Sequence, residues 1–529
     1  MIVTPRPADA SARVAGKGLK AGALGLTSTI VIAVASTAPA YAMTSALGSV
    51  VSAMRTQAPV AILAAFIPML FISYAYRALN SVDPDCGTSF TWVARAFGRR
   101  AGWITGWVII LADVVVMANL AYIAGTYTFM LFGLHGLAGN TAWSTGAGSV
   151  WIVAMTVISW IGIEISARTQ VMLLSLEVLV LLVMSAVALV KVYTHHAGAL
   201  AIHPAARWFD PFAHGMTLSA FTAGLIAAVF IYWGWDSAVA VNEETADAKV
   251  TPGRAAVVAT VMLLVIFTVV TVAAQAYAGV GSAGIGLTSP GASVDALSGL
   301  GQAVLGVWGF KLLILAILSS SAASAQTTIL PTARTTLSMA TYKALPRSLS
   351  SIHKRYLTPT VSTWAMGAAS VAFYVAMTYV KNGSLLTDLI AAVGLQIAFY
   401  YGLTGLASAW YFRGRTKGVK ELFLKVILPL AGGLILLGAG ADSARTFWNP
   451  AHDTGGVTIW GVGGTFVLGV GAMALGIPLM LIWNATRDGR AYFGGQTMAS
   501  AADMVNSPGQ EPATRDRYRG ERPAVTPGT

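Results

Sequence analysis

The sequence predicts an all-α polytopic membrane protein of twelve spans, ten of them forming two inverted five-helix repeats. Three observations predict it. Hydrophobic residues make up 56% of the 529 and charged residues only 10%, with a mean hydropathy of +0.69. Soluble domains carry about 25% charged residues. Twelve segments are apolar over the roughly 20 residues that cross a bilayer: 24–51, 58–80, 101–133, 149–167, 170–193, 216–241, 254–279, 303–336, 360–380, 385–412, 421–441 and 458–485. The first and sixth of these are interrupted near their centres, at Ser36-Thr37-Ala38-Pro39 and at Trp233-Gly234-Trp235-Asp236.

Residues 1–23 are polar and basic, and the apolar run after them is too long for a signal-peptide core. It reads as the first span. Pro39 lacks an N–H and clashes with the preceding turn, so the helix there kinks or opens. Gly87 to Arg100 reads as an amphipathic surface segment, with Phe90, Val93 and Phe97 on its apolar face. A short surface helix is expected near Thr341 to Tyr356. Residues 486–529 mix Arg, Gly, Pro and Ser and are expected to be disordered.

Lysine and arginine placement sets the orientation. With both termini on the cytoplasmic side, 27 of the 33 Lys and Arg residues fall in cytoplasmic segments. The net charge of +12 therefore reflects topology, and no basic–aromatic stripe points to nucleic acid. The repeats are 24–193 and 216–412, with 421–485 as the two remaining spans. An odd number of helices per repeat gives the repeats opposite topology.

Paired interruptions in corresponding spans point to the substrate site of a secondary transporter. Opened backbone within a membrane persists only where it lines a cavity. The N–H groups at Ser36, Thr37 and Ala38 suit a carboxylate, and the freed carbonyls and aromatic rings from Phe230 through Trp233 to Gly234 suit an ammonium. Few acids lie within the spans: Asp113, Glu164, Glu177 and Asp236. A charge at mid-bilayer costs about 3 kcal/mol or more, so function is the default reading for such a residue. Glu177, two turns into the fifth span, is the candidate for proton coupling. Asp113 is a candidate to face substrate and select a cationic group, and Asp236 to act as hinge or gate. Glu164 lies one helical turn from Arg168, which predicts a local ion pair.

The sixth span and its exit, with Trp233, Gly234, Trp235, Asp236, Glu243, Glu244, Pro252 and Arg254, resemble the signature of the amino acid–polyamine–organocation transporters. Gly87 to Trp107 is similar to that family's second-to-third-span connection. The stretch with Arg334, Leu345-Pro346 and Thr358-Pro359 is similar to its eighth-to-ninth. The resemblance implies a leucine-transporter-type fold with helices 1 and 6 discontinuous, and uptake or exchange of amino acids or related amines. It places Phe230 at the family's aromatic gate, and Glu177 near where some members keep a Lys in place of a sodium site. Two departures stand out: Ser36-Thr37-Ala38 replaces Gly-x-Gly, and Asp236 replaces Glu.

The expectation is thus an amino acid permease, proton-coupled and without an organic cofactor, multi-pass in a bacterial inner membrane. An exchanger of amines or amino acids is the alternative. Single Cys86 excludes an intramolecular disulfide, no Cys/His cluster suggests a metal, and no catalytic cluster suggests an enzyme. Substrate identity and oligomeric state stay open.

Overall fold

The computed structural model describes residues 17–212, 216–292, 295–380, 385–452 and 456–498. Most of the two hydrophilic ends, 1–16 and 499–529, lies outside the described residues. Ten helical stretches among the described residues are long and apolar enough to cross a membrane. One of them, Leu26–Val82, has 57 residues. A straight helix of that length would measure about 85 Å, far beyond a hydrocarbon core of about 30 Å. It is divided into α1 (Leu26–Thr37), α2 (Pro39–Met54) and α3 (Ala58–Val82). Ala38 is left-handed, with φ 48° and ψ 66°. Pro39 opens α2 at the first helical position, where its missing N–H costs nothing. The proline therefore starts a second helix and does not merely bend one.

The expected surface segment is instead a largely buried helix, α4 (Ser89–Phe97), which precedes α5 (Arg99–Leu131). Ser89 to Arg95 are buried by the surrounding protein, while Phe97, expected on the apolar face, is exposed. The next two are α6 (Thr141–Ile161) and α7 (Ile163–Tyr193). The Asn140 side chain caps α6 by accepting from the amides of Ala142 and Trp143. The boundary between α6 and α7 lies at Gly162, φ 151°, and not near Arg168. Hydropathy drops at the charge, but the chain turns where glycine permits the backbone angle. The expected Glu164–Arg168 pair is replaced by one between Glu164 and Lys20 at 2.8 Å.

The sixth apolar segment forms α8 (Leu218–Tyr232), a break at 233–236, and the single turn α9 (Ser237–Ala240). The break lies near the C-terminal end and not at the centre. Ala238 to Val241 are apolar because protein buries them, at 0–3% exposure, which composition alone cannot distinguish from lipid burial. Next come α10 (Thr251–Ala278) and α11 (Ser298–Thr341), the latter interrupted at Gly306. Lys191 donates to the carbonyls of Ala303 and Val304, where the first piece of α11 ends. The helix expected near 341–356 is only a turn at Arg347–Ser350, because Pro346 and the left-handed Lys343 and Leu357 prevent a longer one.

The remaining helices are α12 (Thr360–Tyr379), α13 (Leu385–Phe412), α14 (Leu428–Trp448) and α15 (Gly476–Asn484). The last predicted span begins later than expected. Residues 458–463 form a small antiparallel hairpin, and the helical stretch starts at Gly464. The disorder expected from residue 486 onward does not extend to its first part. Arg487–Phe493 forms α16, capped by Thr486. Arg347 grips Asp488 through two hydrogen bonds of 2.9 and 2.8 Å, and buried Tyr492 stacks on Phe90.

The broken helices sit at the centre of the bundle. α2 packs on α8, α1 on α7, α10 and α11, and α8 on α3 and α13. Large apolar side chains such as Met172, Val183, Val265 and Ile482 are exposed on the outer helices. A bilayer covers surface of this kind.

Candidate transport site

The two breaks meet backbone to backbone. Gly234 has φ 121°, and a β-carbon there would lie 2.7 Å from the carbonyl carbon and oxygen of Ser36. Only glycine permits both the angle and the approach. Around this contact the freed backbone is partly satisfied. The Ser36 carbonyl accepts from the Ser324 hydroxyl at 3.0 Å. The Ser36 hydroxyl reaches the Thr327 carbonyl, which Pro331, four residues on, leaves without its helical N–H donor. The Thr37 hydroxyl bonds back to Ala33 and Val34, each at 3.0 Å.

Beside the contact lies a cavity. Of the residues singled out in the sequence, Ser36, Thr37, Asp113, Phe230, Trp233, Gly234 and Asp236 line it. α5 contributes Asp113, whose Oδ2 accepts from Thr332 of α11 at 2.5 Å. α13 contributes Tyr400. The Trp233 indole donates to the Tyr400 hydroxyl, which donates to Asp236 Oδ2 at 3.3 Å. Tyr41 meets Phe230 edge-on at 6.4 Å and donates to Asn119 at 2.7 Å. Behind Asp236, the rings of Tyr76, Trp235 and Tyr401 pack within 5.1–5.7 Å of one another.

Ala38 and Glu177 do not line the cavity. Ala38 is the hinge itself, 1% exposed. Glu177 lies on the other side of the first break, at the N-terminus of α2. It is fully buried beside the Ala40 amide and the Ser320 hydroxyl, and neither carboxyl oxygen is hydrogen-bonded. The N–H groups assigned to a substrate carboxylate belong to the end of α1 and not to the start of α2, and the Ala38 N–H donates to the Ala35 carbonyl at 3.1 Å. In α2 itself the Tyr41 N–H donates to Ser320 Oγ at 3.1 Å. The positive end of the half-helix thus faces Glu177 and α11.

Sequence reasoning missed Tyr41, Thr328, Thr332 and Thr335. Pro331 was the available signal, since an intrahelical proline marks a freed carbonyl in the eighth span as Pro39 marks the first.

At the end of the bundle that carries residue 17, charges interlock. Lys17 bridges Asp85 at 2.8 Å and Glu243 at 2.5 Å, with its ammonium over the Tyr342 ring. Burial alone would raise the Asp85 carboxyl. Lys17 and the Ser338 hydroxyl outweigh it and hold the group well below the usual carboxylate range. Burial likewise opposes the Lys17 charge, but Asp85 and Glu243 hold that ammonium well above its ordinary value. Next to this cluster, fully buried Arg334 takes both oxygens of Glu244. The acid pair after the sixth span and the arginine of the eighth, 90 positions apart, thus meet in one network.

A family model described as amino acid permease matches residues 24–474. An uncharacterised transporter of Mycobacterium tuberculosis is 25% identical over 79% of this chain and 81% of its own length. Branched-chain amino acid permeases are also similar. The one from Bacillus subtilis is 26% identical over 58% of this chain and 64% of its own. The one from Lactococcus lactis is 23% identical over 68% and 77%.

Proposed function

We propose that this chain, which belongs to the amino acid permease family, is a proton-coupled secondary transporter that holds its substrate in the cavity between the two broken helices. The observation that carries the reading is the backbone contact of Gly234 with Ser36, which joins both breaks at one cavity. A ligand there touches α1, α8, α5 and α11 at once, so its binding energy bears on how these helices sit against each other.

In this reading the spans number twelve: α1 with α2, α3, α5, α6, α7, α8 with α9, α10, α11, α12, α13, 419–448 and 464–484. We place both termini in the cytoplasm from the charge distribution and pair the first five spans with the next five as inverted repeats. The Lys17 cluster then closes the cytoplasmic end.

Glu177 is the coupling group in this scheme. Its carboxyl lies at the N-terminus of α2, so the charge it carries acts on the half-helix that borders the cavity. Gaining or losing a proton there changes the attraction between α7 and α2 and biases the position of the break.

The test is uptake of labelled amino acids and amines into proteoliposomes, with and without an inward proton gradient, for wild type and Glu177→Gln. Gradient-driven accumulation that the variant loses, with substrate binding kept, supports the scheme. Accumulation unchanged in the variant makes Glu177 structural. Uptake only into preloaded vesicles makes the protein an exchanger.

A further inference from the structure

The cavity carries two carboxylates and no basic side chain. Asp113 and Asp236 both line it, close enough to interact electrostatically, and no lysine or arginine stands among the described lining residues. Asp113 is 5% exposed and sits midway along α5. One of its oxygens takes the Thr332 hydroxyl. A buried carboxylate normally has a countercharge, because an uncompensated one is costly to hold in a membrane interior. Four other acids follow that rule, and Glu177, buried away from any cation among the described residues, is an exception. Asp85 and Glu243 have Lys17, Asp83 has Arg95 and Glu244 has Arg334.

The rest of the cavity wall suits a cation. Tyr41, Phe230, Trp233 and Tyr400 surround the acids, and aromatic faces attract ammonium and guanidinium groups. Several polar groups at the two breaks are already committed, although the hydroxyl residues Thr88, Thr328 and Thr335 also line the cavity. The Tyr41 amide is bonded to Ser320, the Ser36 and Thr37 hydroxyls to carbonyls, and the Ser237 hydroxyl to the Gly234 carbonyl.

We infer that the substrate carries a net positive charge, its cationic group held between Asp113 and Asp236 against the aromatic wall. This rests on the transport reading above and narrows its substrate class. A leucine-like side chain placed at Asp113 would leave that acid the Thr332 hydroxyl but no countercharge, so the branched-chain preference named for two relatives does not fit this cavity. The same cationic chemistry is offered by amino acids with basic side chains and by the amines their decarboxylation gives.

The experiment measures proteoliposome uptake and ligand-induced thermal stabilisation of the purified protein. Its probes are L-lysine, L-arginine, cadaverine, agmatine and L-leucine, tested on wild type, Asp113→Asn and Asp113→Glu. Cationic probes are expected to be bound and transported. Asp113→Asn should raise their KM by about ten- to a hundredfold, the cost of one charge-assisted hydrogen bond, while Asp113→Glu retains most of the affinity. The two amino acids against the two amines decide which source of the cation is used. Wild type that transports leucine, ignores the cationic probes and is unaffected by Asp113→Asn overturns the inference and leaves amino acid transport standing. A folded protein that binds and transports none of the five overturns both.

Discussion

Replacing Arg334 by methionine tests the network that holds the sixth and eighth spans together. The guanidinium donates to Glu244 from Nε at 2.8 Å and from Nη2 at 2.9 Å, and both side chains are 0% exposed. Removing one member of a buried pair leaves the other charge uncompensated, at about 3–5 kcal/mol. Removing both charges in favour of apolar groups of similar volume eliminates the desolvation penalty as well, and is often close to neutral. Unfolding entropy scales with length, and for a chain of this size 1 kcal/mol shifts the midpoint by about 1 °C. Arg334→Met and Glu244→Leu should therefore each lower the midpoint by roughly 3–5 °C, and the double variant should recover more than half of either loss. The assay is tryptophan fluorescence of the detergent-purified protein during heating. A double variant whose loss equals the sum of the single losses would refute the reasoning, because it would mean that the two side chains act independently.

Three further outcomes are expected besides those for Glu177 and Asp113. Gly234→Ala sets a β-carbon 2.7 Å from the Ser36 backbone at φ 121°, so it should cost about 1–3 kcal/mol of strain and slow uptake. Wild-type uptake and midpoint in that variant would show that the breaks do not touch. Lys17→Met should lower the midpoint at neutral pH, because Asp85 and Glu243 are left facing each other. The pH dependence has a fixed sign. Asp85 is depressed, so its contribution in wild type is present above the unfolded value of about 4 and lost only as pH falls through its lower folded value. Lys17 is raised, so its contribution is present below about pH 10 and lost only above that. Wild type should thus be flat across neutral pH in this respect, while the deficit of Lys17→Met narrows toward pH 4 as the acids protonate. A deficit that widens on acidification would contradict the assignment.

The membrane class and the first break were legible because apolar length and Pro39 are local signals. The second break was found by Gly234 but placed too centrally, since Ala238–Val241 are buried by protein and read like lipid-facing residues. Asp113 and Asp236 could be named as acids out of place, but their sharing of one cavity depends on how α5 crosses the break of α8 and α9, which no local pattern encodes. The same holds for Glu177, whose position at the N-terminus of α2 comes from helix packing. The α6–α7 boundary failed for the opposite reason: a visible charge at Arg168 outweighed a quieter glycine at 162.

Lys17 has a consequence for assembly. It belongs to the stretch of chain made before the first span, yet one of its partners, Glu243, follows 226 positions later. Until that residue has emerged, the amino-terminal stretch has no complete socket, and Asp85 stays without its second acidic neighbour. The clasp therefore cannot be completed until about half of the chain has been made. It reports that the two halves have found each other, and a bulky fusion joined directly before residue 17 would hinder that step more than one attached beyond residue 498.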